Sequence, residues 1–416
     1  MNTGSVDAPR KRPSTAVILT LVLVVVAAVV VLTGILPLAD SLALADRVVP
    51  VLGFVVGITI VTELAAEAGL FSVVSGWLAR WGRRRVWMLW LFVIVLATLS
   101  TIFLSLDTTA VLVTPVVVLL ALDAGLPPVP FALATVWLAN TASLLLPISN
   151  LTNLLAATEL ASVAPDAATI DLTSPLGFAS LVWAPALVGI VVPVILLSLL
   201  FRRQLRGTYR VPERASVVDR PLLVVSAVVV VVLLPLLVSG IPVWIPAAAG
   251  AVVLVIAFAW RRPAALGVGL GVGLVPWSPV AIASGLFVLV EALQVHGLGA
   301  AVSAVAGSGS SFAALLQLAG LGVVSANGIN NLPAYLVLEP AAGSPVRLVA
   351  LLIGVNLGPL VTPWASLATL LWHEKVTAQG VSIRWGRFVF AGLVAVVVTV
   401  PLAVLALWLS AGAPQM

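Results

Sequence analysis

Four short stretches concentrate hydrogen-bonding side chains inside otherwise apolar runs: SLDTT (105–109), NTASLLLPISNLTNLL (140–155), NGINN (327–331) and NLGPLVTPWASLATLL (356–371). Ser149, Asn150, Thr152 and Asn153 form the densest cluster. Ser366 and Thr369 are their counterparts in the last stretch, and Asn330 and Asn331 close the third. Uncharged amides and hydroxyls are the chemistry of a polar-solute site that works by hydrogen bonds. The plain alternative is glue between helices, at about 1 kcal/mol or less per bond, or turn chemistry after Gly328 for the Asn pair. Pro147 and Pro363 favour binding. Each removes a backbone donor and breaks its helix, which frees carbonyls and half-helix ends for a solute.

Asp107 has no cation near it in sequence. An ionised carboxylate in a membrane segment is costly without a partner, so Asp107 is expected to exchange protons. The alternative is an N-cap, since DTT precedes an apolar helix. Glu63 and Glu291 are further candidates for proton coupling, although they and Glu67 lie toward span ends where a carboxylate can reach water. His296 reads as interfacial, and HEKVT (373–377) lacks the second His of a zinc motif. No metal site and no cofactor are expected. GVGLGVGL (267–274) is no dinucleotide fingerprint, because no strand–helix unit surrounds it.

The elements that position these residues follow from composition. Of 416 residues, 62% are hydrophobic and 8% charged, against about 25% charged in soluble domains. The chain is therefore expected to be an all-α polytopic membrane protein. There is no Cys, so disulfides and thiolate metal sites are excluded. Runs near 16–38, 49–70, 131–157, 176–201, 221–240, 243–260, 277–297, 346–372 and 388–411 are long enough to span. The first exceeds a secretory signal core and is expected to be retained. Two more, 87–122 and 312–340, are broken by SLDTT and NGINN and read as re-entrant hairpins.

With the N-terminus in the cytoplasm, 18 of the 20 Lys and Arg fall inside and only Arg47 and Arg347 outside. The C-terminus is then outside, the location is the plasma (cell inner) membrane, and the spans hold no Arg or Lys. The net charge of +5 reflects basic residues in short loops between apolar runs, where they orient the protein, and no nucleic acid is expected as a partner.

The halves repeat weakly but in order. GITIVTELAAEAGL (57–70) parallels LFVLVEALQVHGL (286–298), LDTTAVLVTP (106–115) parallels INNLPAYLVLEP (329–340), and NTASLLLPISNLTNLL parallels NLGPLVTPWASLATLL. These pairings set Glu63 against Glu291, Gly69 against Gly297 and Asn140 against Asn356. The expected organisation is an N-terminal half, 1–201, a cytoplasmic Arg-rich linker, 202–220, and a C-terminal half, 221–416. The predicted topology makes the second half an inverted copy of the first, each with one hairpin and one Pro-interrupted helix. That is the mark of a secondary transporter.

FLSLDTTAVLVTP, NTASLLLPISNLTNLL, INNLPAYLVLE and GVNLGPLVTPWASLATLLWHE resemble the arsenical pump membrane protein family, within the ion-transporter superfamily that includes dicarboxylate and sodium/proton carriers. The resemblance covers the chain from about residue 49 to its end. The family's first hairpin tip usually reads Ser-Asn-Asp-Thr-Thr, and here position 106 is Leu. The resemblance implies export of arsenite or antimonite in exchange for protons, sometimes with a cytosolic ATPase subunit. A homodimer is also allowed. A sodium-coupled carboxylate (citrate-type) carrier and a sodium/proton antiporter are the alternatives. An intramembrane hydrolase would need a Ser–Lys, Ser–His or paired-Asp site within the spans, and none is evident, so no enzyme is expected.

Overall fold

The computed structural model describes residues 15–163, 172, 174–212, 218–266 and 274–413. Arg10, Lys11, Arg12, Arg214, Ser216 and most of GVGLGVGL lie outside the described residues. Among those described there are 17 helices and no strand. Nine are long and apolar enough to cross a membrane. Helices dominate because an apolar solvent offers the backbone no partners, so each segment must satisfy its own N–H and C=O groups.

In chain order the helices are α1 Thr15–Leu32, α2 Leu38–Glu67, α3 Leu70–Trp81, α4 Val86–Leu104, α5 Leu106–Asp123, α6 Pro128–Thr141, α7 Leu151–Val163 and α8 Pro175–Leu200. After the linker come α9 Arg220–Leu237, α10 Trp244–Arg261, α11 Trp277–Val295, α12 Leu298–Ala306, α13 Phe312–Ile329, α14 Asn331–Leu338, α15 Pro345–Leu357, α16 Leu367–Ala378 and α17 Trp385–Ser410.

The segment from α4 to α5 turns back on itself. Both of its ends meet the same short stretch of linker: Val86 N–H donates to the Gly207 carbonyl at 3.2 Å, and Arg210 N–H donates to the Ala124 carbonyl at 3.4 Å. The tip is Ser105, at φ 116°. The segment from α13 to α14 has the same form, with its tip at Asn330, φ 89°. Its two ends are joined by one side chain. The Arg347 guanidinium donates to the carbonyls of Ala306, Gly307 and Gly309 on one side and of Ala341 and Ala342 on the other. Arg347 is only 5% exposed.

Each interrupted helix breaks where proline and the polar cluster coincide. α6 ends at Thr141 and α7 starts after Asn150; α15 ends at Leu357 and α16 starts after Ser366. Asn150 and Ser366 are both extended, at φ −153° and −141°. A glycine lets a neighbouring helix lie against each break. A Cβ on Gly189 of α8 would sit 3.0 Å from the Thr141 carbonyl, and one on Gly392 of α17 would overlap the Leu360 carbonyl. Trp372 Nε1–H donates to the Ala132 carbonyl at 2.8 Å, so the middle of α16 lies beside the first half of α6.

Two expectations are corrected. α2 starts at Leu38, not near 49, and so contains Arg47 as the tenth of its 30 residues. Arg347 lies in the first turn of α15, within the expected span 346–372, and is buried in the protein, so that span is not free of arginine. Both charges survive there because they are partnered. Two short helices were not foreseen: α3 and α12 follow Gly69 and Gly297, both left-handed, at φ 87° and 99°.

Candidate functional site

Both hairpin tips and both helix breaks border one cavity of about 410 Å³. Its polar wall is Ser105, Asp107, Asn150, Asn330, Asn331 and Ser366; the facing wall is apolar, from α1, α2 and α11, with Thr59 its only hydroxyl among the described residues. Four helices begin at this polar wall: α5, α7, α14 and α16, with Ser105, Asn150, Asn330 and Ser366 as their N-caps. Three of the caps work in the usual way. Ser105 Oγ accepts from Thr108 N–H at 3.3 Å, Asn150 Oδ1 from Thr152 N–H at 3.3 Å and Asn330 Oδ1 from Leu332 N–H at 3.2 Å. Ser366 Oγ is buried and has no partner. A helix start carries partial positive charge and unpaired N–H groups. Four of them aimed at one space make a site for electron-rich oxygen without a cationic side chain.

Asp107 lies in the first turn of α5 and opens to the cavity. The capping role is filled by Ser105, which leaves the Asp107 carboxylate without a hydrogen-bond or ionic partner among the described residues. A π-helical turn, Thr109–Val113, follows it. Thr101 Oγ1 donates to Thr109 Oγ1 at 2.8 Å, and Thr114 Oγ1 to the Thr109 carbonyl at 3.0 Å. Such turns recur at functional sites.

The remaining predicted binders stand behind the wall. Asn356 Oδ1 accepts from Asn150 Nδ2 at 3.0 Å and from Thr152 Oγ1 at 2.9 Å, while its Nδ2 donates to Asn153 Oδ1 at 2.6 Å. Asn153 Nδ2 donates to the Ser143 and Leu146 carbonyls. Ser149 Oγ donates to the Ile102 carbonyl at 2.7 Å, tying the first break to α4. Thr369 meets only the long arm of Asn140, at 3.5 Å. The second break is tied to α13 through Asn327, whose Nδ2 donates to the Gly358 carbonyl and whose Oδ1 accepts from Thr362 N–H, both at 2.9 Å.

Glu63 does not border this cavity. Glu291 borders a second one of about 230 Å³, with Arg47, Glu159, Gln294 and Glu339. There Arg47 pairs with Glu339 and lies 3.6 Å from Glu159, and Tyr335 O–H donates to Glu339 at 2.7 Å. Sequence reasoning missed Ser105, Asn327 and this ion-pair group as sites. It aligned Asn356 with Asn140 without seeing that Asn356 organises the first half's cluster.

Comparison with known proteins fits this geometry. The family model for citrate transporters (CitMHS) matches residues 10–346. The chain is 29% identical over 412 residues to an arsenical pump membrane protein of Yersinia enterocolitica, covering 92% of each. It is 30% identical over 383 residues to one of Escherichia coli, covering 85% of each. A 46 kDa membrane protein of Mycobacterium leprae is 24% identical over 383 residues. In fold, the chain resembles the YdaH transporter of Alcanivorax borkumensis, described as having an unusual topology. The TM-score is 0.55, with 17% identity and coverage of 96% of this chain and 98% of that one. With broken helices meeting at a shared cavity and relatives matched along most of its length, the chain belongs to the arsenical pump membrane protein family of multi-pass transporters, within the ion-transporter superfamily.

Proposed function

We propose that this protein is a secondary active transporter of the plasma membrane that exports arsenite or antimonite in exchange for protons. The observation that carries this reading is the composition of the polar wall: four helix starts, amides and hydroxyls and, among the described residues, one carboxylate and no cation. At neutral pH arsenite is an uncharged trihydroxide. It can accept from the helix N-termini and from Asn330 and Asn331, and donate to Ser366 Oγ and to Asn150 Oδ1, since the Asn150 amide hydrogens are taken by Asn356 and Ser143. Asp107 is the proton-coupling group, since it is the carboxylate that opens to the cavity. Ser149, Thr152, Asn153 and Thr369 position the wall.

In this reading residues 1–201 and 221–416 are inverted repeats joined by the 202–220 linker. Support comes from the hairpin mouths, one beside the linker and one at Arg347, at the opposite end of the α15–α16 segment from Trp372. The linker and the N-terminus are cytoplasmic and the C-terminus outside, on the distribution of Arg and Lys.

A carboxylate carrier is the second reading. The four helix N-termini favour it, because they would also hold an anion, and the matching family model is described as a citrate transporter. Everted membrane vesicles separate the two. Uptake of arsenite and antimonite driven by an imposed pH gradient, with none of citrate or sodium, is the expected result. Citrate uptake driven by sodium would replace the first reading with the second. Adding ATP tests for coupling to an ATPase subunit.

A further inference from the structure

We propose that the arginine-lined mouth of the first hairpin is a docking surface for anionic phospholipid headgroups. Two loops form it. One carries Arg83, Arg84 and Arg85 between α3 and α4, with Arg80 in the last turn of α3 beside it; the other carries Arg202, Arg203, Arg206 and Arg210 after α8. The loops are zipped together. Arg85 and Thr208 form an isolated β-bridge, Tyr209 N–H donates to the Arg84 carbonyl at 3.0 Å, and the buried Tyr209 hydroxyl donates to the Ala79 carbonyl. Gly82 makes room for that hydroxyl, since a Cβ there would overlap it. Arg83 and Arg84 are left-handed, at φ 50° and 62°, a conformation uncommon outside glycine. The surface is thus a fixed structure, not a frayed end.

Its charge is unspent. Seven of these arginines are exposed and Arg80 is half-buried, and none has a carboxylate partner within salt-bridge distance among the described residues. The one acid in the adjoining turn is Asp123, next to Ala124. The contrast with the following loop is direct, because Arg261 pairs with Asp219 and Arg262 with Glu67, both at 3.1 Å. Every cation here is arginine, whose planar fork matches phosphate oxygens two at a time.

The surroundings favour a lipid as the occupant. Trp77 and Trp81 at the end of α3 and Trp87 at the start of α4 flank the arginine loop and are about half exposed, as interfacial tryptophans are. Trp87 heads a stripe on α4 that continues through Leu91, Val95 and Leu99, each 45–53% exposed. A helix face of that kind meets acyl chains, and it places the arginines one turn beyond, where phosphates lie. The proposal is independent of which solute is carried.

The test is lipid retention by the purified full-length protein, measured by native mass spectrometry in equal mixtures of phosphatidylglycerol and phosphatidylcholine. Wild type is expected to prefer phosphatidylglycerol. In R83Q/R84Q/R203Q that preference falls by up to about fivefold for each arginine neutralised, while R261Q/R262Q keeps it. Rising salt should weaken the wild-type preference without any substitution, so a poorly folding variant does not decide the matter. Equal retention of both lipids by wild type, or a preference unchanged in the triple variant, overturns the proposal. Binding of a polyglutamate peptide with no lipid preference would assign the surface to an acidic protein and also overturn it.

Discussion

Asn356 and Asn153, one from each half of the chain, share a hydrogen bond of 2.6 Å in which the Asn356 amide donates to the Asn153 carbonyl oxygen. Asn356 also accepts from Asn150 and Thr152, so one side chain holds three residues of the other half's broken helix. Asn356→Ala leaves buried polar groups unpaired, at about 1–3 kcal/mol. It should lower the melting temperature and the transport rate together. Asn140→Ala, which removes a bond within its own helix to the Val136 carbonyl at 2.9 Å and one of 3.5 Å to Thr369, should have a smaller effect on both. Thermal melts of the two variants in detergent check the order.

Ser366 and Ser149 should separate binding from structure. Ser366 Oγ has no partner, so Ser366→Ala should leave stability unchanged and weaken solute affinity by about twofold to tenfold, the worth of one hydrogen bond. Ser149 Oγ is bonded to Ile102. Ser149→Ala should lower stability with little change in affinity. Transport KM and melting temperature measured on both variants give the comparison.

Asp107→Asn keeps the shape of the group but cannot titrate. In proteoliposomes it should abolish accumulation driven by a pH gradient while leaving solute exchange at equal pH at least partly intact. Asp107→Glu should recover part of the coupling. Gradient-driven accumulation of arsenite by Asp107→Asn would move the coupling role elsewhere, first to Glu291 beside the second cavity.

Arg347 closes the second hairpin through five backbone carbonyls. Arg347→Met should cost about 3 kcal/mol, from charge-assisted hydrogen bonds to buried groups. Arg347→Lys should recover little, because an ammonium cannot reach both ends of the hairpin as a fork does. The amount of folded protein recovered from membranes, with the melting temperature, reads the loss.

The two mouths should face opposite sides of the membrane. The chain has no native Cys, so Gln204→Cys and Ser308→Cys each supply one exposed thiol. An impermeant maleimide applied to intact cells should label Ser308→Cys and spare Gln204→Cys. Labelling of both from the same side would remove the inverted arrangement.

The spans and both breaks were legible because hydropathy and proline act locally: SLDTT and NGINN fall at the hairpin tips, and Pro147 and Pro363 at the helix breaks. The start of α2 was not legible. Asp40, Asp46 and Arg47 end the apolar run in sequence, yet the helix continues through them because Arg47 pairs with Glu339, far along the chain. Hydropathy registers a charge but not its partner. The site was legible in residue type and not in facing. Asn150 and Asn153 are one helical turn apart, and only the first borders the cavity. Which of them faces the cavity depends on Asn356, and that pairing exists only after the halves have packed.

The convergence of four helix starts has a consequence for how such a carrier changes over evolutionary time. A positive field made by peptide groups is not encoded by any one codon, so no single substitution can delete it. The four caps, by contrast, are ordinary replaceable side chains. A lineage can exchange a Ser for an Asn there and alter which oxygens are recognised while the underlying attraction stays in place. Carriers for chemically distant solutes can then descend from one another without passing through a form that binds nothing.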